Sequence, residues 1–176
     1  MSAIAIAATT NPATTSPATT SPATAASPLP RFLATDAPRV LAHLLTLDAD
    51  DRMLRFGHGI RREGIVAYVA GIDFKRDHVH GLSASNGEVV ALAHVALRTG
   101  ELDFGLSVIP AYRQRGLGRA LFEHVMALAP QLGAQRIVCH SISPVVLHMV
   151  AVRGFRRPNG DPASAPTLDL GAPHRA

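Results

Sequence analysis

Residues 111–120 read AYRQRGLGRA, and their residue types fit the binding of an anion. Gly116 and Gly118 lie one residue apart, with three arginines beside them. The apolar run FGLSVIP precedes the segment and LFEHVMALA follows it, which predicts a strand, a loop and a helix in that order. Glycines let an anion reach main-chain N–H groups at the positive end of a helix, and arginines add charge-assisted hydrogen bonds to phosphate oxygens. The segment therefore predicts a diphosphate-binding loop.

Two common nucleotide-binding loops do not fit this segment. The dinucleotide fingerprint requires a third small residue at the position where Leu121 stands. The phosphate loop of nucleoside triphosphatases requires a Gly-Lys-Ser/Thr tripeptide, which the sequence does not contain. The diphosphate site must therefore belong to another class of protein.

A two-residue turn at Thr99-Gly100 predicts a hairpin between VVALAHVAL and ELDFGLSVI. In this register Arg98 lies opposite Glu101. Side chains alternate along strands, so four polar residues share one face of the hairpin: His94, Arg98, Glu101 and Asp103. This face is a candidate for acid–base chemistry, with the alternative that Arg98 and Glu101 only form a cross-strand ion pair.

The remaining pattern predicts the elements that position these residues. Helices are expected over 36–47 (Asp36 as cap), 48–56, 62–72, 117–129 (closed by Pro130) and 143–153. Strands are expected over 31–35, 77–84, 89–97, 101–109, 135–140, 154–158 and 167–170. Helices, then an antiparallel meander, then alternating helix and strand predict a mixed α/β (α+β) fold around one sheet.

The N-terminal segment differs in composition from the rest. NPATTSPATTSPATAASP (residues 11–28) is a near-repeat with little to bury, so residues 1–29 are predicted to be a disordered Ala/Thr/Ser/Pro-rich tail before one domain over 30–176. The start MSAIAIAATT lacks the basic leading region of a signal peptide. The other explanation is a misplaced start codon, in which case residues 1–29 are not part of the native protein.

Composition excludes several classes of function. The net charge of +4 comes almost wholly from arginine, and the absence of Trp disfavours base stacking on nucleic acid. The single Cys139 excludes an internal disulfide and leaves too few thiols for a structural zinc site. No apolar run approaches the length of a bilayer span. We expect a cytoplasmic protein that binds neither nucleic acid nor a membrane and needs no metal.

The glycine loop and its surroundings resemble one family. Arg113-Gln114-Arg115-Gly116-Leu117-Gly118 matches Q/R-x-x-G-x-G/A, follows V-x-P, and is succeeded by VRGF at 152–155. This combination resembles the GNAT superfamily of acyl-CoA-dependent N-acyltransferases over residues 30–170, most specifically over 101–155. The resemblance implies a central, mostly antiparallel sheet with a splayed parallel strand pair, a bulge in the strand before the loop, and flanking helices.

The resemblance also implies a binding site for acetyl-CoA. Main-chain groups along Leu106, Ser107, Val108 and Ile109 would line the slot between the splayed strands, and the amide near Val108 would polarise the thioester carbonyl. The diphosphate would be bound by residues of the loop and first helical turn: Arg113, Gln114, Arg115, Gly116, Leu117, Gly118 and Arg119. Ser143 would cap the last helix and contact the cofactor.

For the catalytic groups, the resemblance favours an acidic residue near the start of the strand before the loop. Asp103 fits best as general base, with Glu101 second and His94 as a further candidate. Many relatives use a tyrosine as general acid, and Val150 stands at that position here. The sequence therefore differs from the family pattern at the general acid. His140 and His148 are interpreted as structural, and Cys139 as a small apolar residue.

A further segment, LDADDRMLRFGHGI (47–60), resembles a helical segment of some bacterial members, including acetyltransferase domains of protein-acetylating enzymes. Asp51, Arg52, Arg55 and Phe56 would then wall the acceptor site, or they form an ordinary capped helix. The resulting hypothesis is an N-acetyltransferase that acts on a primary amine of a small molecule or protein. The alternative is a catalytically degenerate acyl-CoA-binding module. A homodimer is compatible with the fold.

Overall fold

The computed structural model describes residues 29–171. Within these residues six strands form one sheet, in spatial order β1 to β6, the same as their order along the chain. The strands are β1 (Arg31–Phe32), β2 (His78–Ser83), β3 (Val89–Arg98), β4 (Glu101–Val108), β5 (Arg136–Val138) and β6 (Thr167–Asp169). All neighbours are antiparallel except β4 and β5, which are parallel. The predicted mixed α/β fold with one parallel pair is confirmed, whereas the tail predicted over residues 1–29 lies almost wholly outside the described residues.

Helices cover both faces of the sheet. They are α1 (Ala37–Leu45), α2 (Ala49–Phe56), α3 (Arg62–Ala70), α4 (Leu117–Gln131) and α5 (Pro144–Val152). One apolar core packs α1 and α3 against the sheet through residues such as Val40, Ile65 and Leu92. The other packs α4 and α5 through residues such as Phe122 and Val150. Among the described residues, no helix has both the length and the apolar character needed to cross a membrane.

Local sequence accounts for most helix ends, with three corrections. Ser143 precedes α5 as expected, but its side chain makes no capping hydrogen bond. The Asp48 carboxylate caps α2 by accepting a hydrogen bond from the Asp51 amide at 2.8 Å. Asp36 precedes α1 as expected, but its carboxylate does not cap that helix, because it accepts from the Leu33 amide and from Arg39. Helix α4 continues through Pro130 to Gln131, because a proline in the last turn removes only one hydrogen bond.

The β3–β4 hairpin has the predicted register. Thr99 and Gly100 have φ of 46° and 82°, as a two-residue type I′ turn requires, and Arg98 pairs with Glu101. The pairing runs without interruption to Ala91 opposite Val108, so the prediction of a bulge in β4 is wrong. The register shift lies between β2 and β3: Leu82 pairs with Ala91 and Ser83 with Val89, which leaves Val90 of β3 as the extra residue.

The two parallel strands separate after a short contact. Strand β5 pairs with only the first three residues of β4, from Glu101 to Asp103. The segment 154–158, expected to be a strand, contributes only one bridge from Arg156 to Thr167. Residues 104–108 of β4 therefore have no β5 partner, and the sheet is open at this position.

Candidate functional site

The opening beside β4 is a cavity of about 580 Å³, which we call the slot. It extends from α2 across the free edge of β4 to the first turn of α4 and to α5. Its lining includes most of the residues expected to bind the cofactor: Ser107, Val108, Arg113, Gln114, Gly116, Leu117, Gly118, Arg119 and Ser143. The structure thus brings together groups that are up to 36 positions apart in the chain.

Main-chain groups of β4 point into the slot. In an antiparallel pair, alternate residues hydrogen-bond to the partner strand, and the Ile109 amide donates to the Val90 carbonyl at 3.0 Å. By this alternation the N–H and C=O groups of Leu106 and Val108 point away from β3, toward the side where β5 has diverged. The Val108 amide therefore has the orientation expected of a donor to a bound carbonyl.

The loop before α4 presents further free amides. Gln114 and Gly116 have φ of 58° and 77°, and Gly116 is the residue immediately before the helix. The Ala120 amide donates to the Gly116 carbonyl at 2.9 Å, so the amides of residues 117–119 precede the first hydrogen bond of this helix. A helix N-terminus of this kind attracts phosphate through its unpaired donors and its dipole.

The arginines of the loop differ in their contacts. Arg113 donates from Nε to the Val108 carbonyl at 3.1 Å and pairs through Nη2 with Asp51 of α2 at 2.5 Å. Arg115 instead lies over the Tyr112 ring, 5.0 Å from its centroid, and is not part of the slot lining. Arg119 is exposed at the slot. Arg113 thus connects α2 to the free edge of β4.

Two residues expected to bind the cofactor, Ser107 and Ile109, have buried side chains. The Ser107 hydroxyl is 2.8 Å from His43 Nε2, and His43 Nδ1 is 2.7 Å from the Val89 carbonyl. Because a carbonyl only accepts, His43 Nδ1 carries the proton and Ser107 donates to Nε2. Burial lowers the pKa of His43, in keeping with this neutral form. Ile109 is also buried and does not line the slot.

A second cavity of about 330 Å³ branches from the slot; we call it the side cavity. The two cavities share four lining residues: Arg55, Leu106, Ser141 and Val146. Its polar lining includes His58, Tyr68, His94, Asp103 and His140. A molecule in the side cavity would therefore meet one in the slot beside the unpaired part of β4.

His94 and Asp103 line the side cavity, as the hairpin register predicts, and Glu101 does not. Glu101 is exposed and pairs with Arg136 of β5 at 3.2 Å, while Arg98 pairs with Asp77 at 2.6 Å. The interpretation of Arg98 and Glu101 as a cross-strand ion pair is thus wrong, because each finds its partner on a different neighbouring segment.

Arg55 separates the two cavities. Its guanidinium lies against Gly105 of β4 so closely that a Cβ on that residue would overlap it. It also donates from Nη2 to the Tyr68 hydroxyl at 3.0 Å. Phe56 is half-buried and makes an edge-to-face contact with Tyr68 at 5.1 Å between ring centroids. Of the four α2 residues expected to wall the acceptor site, Arg55 and Phe56 line the side cavity, whereas Asp51 lines the slot and Arg52 lines neither cavity. Gly105 provides the space for Arg55.

The other residues considered from the sequence have different surroundings. Val150 is buried in the core, so its position offers no proton donor to the slot. Cys139 is buried, and burial raises the pKa of its thiol. His148 is exposed on α5, whereas His140 lines the side cavity. Among residues 29–171, no group of three or more His, Cys, Asp or Glu side chains is arranged to hold a metal ion.

The sheet, the slot and the glycine loop define an acyltransferase, and comparison with known proteins identifies its family. Residues 40–152, more than half of the chain, match the model of the acetyltransferase (GNAT) family. The chain belongs to this family. No curated protein sequence matches it.

Solved structures share the fold at low identity. The GNAT domain of S. lividans PAT superposes with a TM-score of 0.61 at 19% identity, over 81% of this chain and 89% of that one. A phosphinothricin acetyltransferase from Sinorhizobium meliloti, solved in complex with AcCoA, gives 0.59 at 14% identity, over 81% and 88%. The ribosomal-protein-S18-alanine N-acetyltransferase from Escherichia coli gives 0.54 at 17% identity, over 81% and 93%.

Proposed function

We propose that this protein transfers an acetyl group from acetyl-CoA to a primary amine of a small molecule or a protein. The observation that carries the proposal is the unpaired edge of β4, which leads into the N-terminus of α4 and has a polar cavity beside it. The edge and the helix suit a thioester whose long polar arm is followed by a diphosphate, and the side cavity suits the acceptor.

The residues present fit the chemistry of coenzyme A. The main-chain groups of Leu106 and the Val108 amide, which have no strand partner on this side, match the amides of a pantetheine arm, as an added strand would; the Val108 carbonyl already accepts from Arg113. Donors of the Arg113–Arg119 segment and the positive end of α4 match the diphosphate. When bound, the thioester supplies an activated acyl carbon; the Val108 amide is the group oriented to stabilise negative charge on its oxygen.

The amine must lose a proton as it is acylated, and two of the three predicted bases are available for this. Asp103 and His94 line the side cavity, whereas Glu101 is paired with Arg136 outside it. The pKa of His94 is lowered by burial, which outweighs the opposing hydrogen bond to Asp77 and keeps the imidazole neutral and able to accept a proton at neutral pH.

The second candidate is an acyl-CoA-binding module without chemistry. It is favoured by one observation, the buried Val150 at the position where the resemblance implies a tyrosine acid. Under the main proposal, coenzyme A leaves as a thiolate without a dedicated donor or with a proton from water.

Calorimetric titration with acetyl-CoA, paired with a thiol-release assay over a panel of amines and peptides, tests both candidates. We expect binding, and release with at least one amine. Gly116→Val should weaken binding tenfold or more, because a β-branched residue does not hold φ near 77° and the loop amides would turn. Gly87→Val is the matched control, since Gly87 also has a positive φ and open space but lies in the β2–β3 turn.

Binding without release for any amine would support the binding module. Unchanged affinity in Gly116→Val would contradict the diphosphate site, and with it the proposed function.

A further inference from the structure

A chain of hydrogen bonds links the side cavity to a buried carboxylate. Arg55 Nη2 donates to Tyr68 Oη at 3.0 Å, Tyr68 Oη is 2.5 Å from His94 Nδ1, and His94 Nε2 is 3.2 Å from Asp77 Oδ2. Arg98 pairs with the other oxygen of Asp77 at 2.6 Å. The chain joins α2, α3, β3 and the residue preceding β2, and neither Tyr68 nor Asp77 was indicated by the sequence.

The direction of each hydrogen bond follows from the groups involved. Asp77 is ionised, because hydrogen bonds from Arg98 and His94 outweigh the effect of burial and lower the pKa of its carboxyl group. An ionised carboxylate only accepts, so His94 Nε2 carries the proton and Nδ1 has the free lone pair. Tyr68 must then donate its hydroxyl proton to Nδ1 while its oxygen accepts from Arg55. The tyrosine oxygen keeps one lone pair for a group in the side cavity.

We propose that Tyr68 and His94 form the path by which the acceptor amine loses its proton during acyl transfer. This inference rests on the proposed function. As the nitrogen–carbon bond forms and the carbon–sulfur bond breaks, the sulfur takes its electron pair and leaves as thiolate. The nitrogen gives its proton to Tyr68 Oη, and Tyr68 gives its own proton to His94 Nδ1. Tyr68 ends neutral, and His94 ends as an imidazolium beside the Asp77 carboxylate.

Each group has a defined part in this transfer. Tyr68 is the catalytic residue that touches the amine, and His94 is the base that finally holds the proton. Arg55 stabilises negative charge that develops on the tyrosine oxygen, and Asp77 is a positioning residue that sets the imidazole tautomer. Asp103 also lines the side cavity, but its Oδ1 accepts from the Phe104 amide at 2.8 Å, and the hydrogen bonds that link Arg55, Tyr68, His94 and Asp77 do not include it.

The activity should depend on the protonation of His94. Charged groups of several elements face its imidazole. Arg55 on α2 disfavours the imidazolium, while Asp77 and Asp103 favour it; Tyr68 contacts it directly. Burial is the largest influence and lowers its pKa below the usual value. When kcat/KM is expressed per concentration of neutral amine, its acid side should therefore fall at a pH below about 6.5, the ordinary pKa of histidine.

Steady-state kinetics with acetyl-CoA and the best amine of the panel test the path. Tyr68→Phe keeps the aromatic packing and removes only the hydroxyl, so kcat should fall about 100-fold or more while affinity for acetyl-CoA stays the same. Asp77→Asn should move the acid limb of kcat/KM to lower pH, because the imidazolium loses its counterion. His148→Gln, at an exposed position on α5, is the control and should change neither quantity.

Two kinetic results would overturn the path. One is a Tyr68→Phe enzyme with less than a threefold change in kcat. The other is an acid limb that disappears in Asp103→Asn but stays in His94→Gln, which would make Asp103 the base.

A measurement without turnover separates this inference from the proposed function. Nitrogen-15 NMR of the imidazoles in the unliganded protein should show the proton of neutral His94 on Nε2, and Asp77→Asn should lower its pKa. A proton on Nδ1 would overturn the path even in a fully active enzyme. Absence of thiol release with every amine would instead contradict the proposed function, whatever the tautomer.

Discussion

Gly105 shows how one missing side chain shapes the site. Its Cα faces the Arg55 guanidinium, and a methyl group there would overlap Cζ and Nη1. Gly105→Ala should displace Arg55, which is flexible enough to move, and so remove its hydrogen bond to Tyr68. We expect kcat/KM for the amine to fall about tenfold, because the loss of one hydrogen bond from a charged donor has an effect of about this size.

Acyl-transfer kinetics and thermal unfolding together check this prediction. Gly59→Ala is the matched control. Gly59 follows α2 by three residues in the chain, and a Cβ there would have its nearest neighbour, Met53 Cε, at 4.0 Å. If Gly105→Ala keeps full activity, Arg55 has no part in the reaction. If it unfolds at a much lower temperature than the control, the effect is on the fold.

At the scale of elements, helix α2 is connected to the slot by the Asp51–Arg113 pair. The Asp51 carboxylate is only 12% exposed and lines the same cavity as the glycine loop that we propose binds the diphosphate. Asp51→Asn should tighten acetyl-CoA binding about fivefold. The substitution frees Arg113 and removes roughly 1 kcal/mol of repulsion between the Asp51 carboxylate and the negatively charged diphosphate of the cofactor.

Titration calorimetry at two salt concentrations measures this effect, which should shrink as salt screens the charges. Asp50→Asn, at the exposed neighbouring position, is the control for the loss of one negative charge. Weaker binding in Asp51→Asn alone would mean that Asp51 holds Arg113 in its binding position.

For the molecule as a whole, buried and half-buried histidines make the fold sensitive to acid. Burial is the main cause that lowers the pKa of five histidines in the folded protein: His43, His78, His80, His94 and His124. Below about pH 6.5 the unfolded chain therefore binds more protons than the folded protein. The free energy of unfolding is highest above that pH and decreases as the pH falls toward the lowered pKa values of the folded protein.

Urea unfolding between pH 7.5 and 5 should show this decrease, and His80→Gln should make it shallower. His80 packs against His124 at 4.4 Å between ring centroids, and both Nε2 atoms are buried without a hydrogen-bond partner. The exposed His148→Gln should leave the slope unchanged. A slope unchanged in His80→Gln would show that this pair does not titrate on unfolding.

Features set by neighbours in the chain were predictable from the sequence. The β3–β4 register follows from the Thr99-Gly100 turn, and with it the position of His94 and Asp103 on one face. The glycine loop before α4 and the capped start of α2 are likewise local.

The amino-acid sequence by itself determined the order of most elements and the glycine loop before α4, since hydrogen bonds and turns between near neighbours specify them. The residues of that loop and its surroundings also indicated the family, which the family model confirms. Only the tertiary structure decided which polar groups meet. It paired Glu101 with Arg136, joined Arg113 to Asp51, and brought Tyr68 and Asp77 to His94. Such contacts join distant segments, and their partners depend on how helices and strands pack, which residue spacing along the chain does not encode.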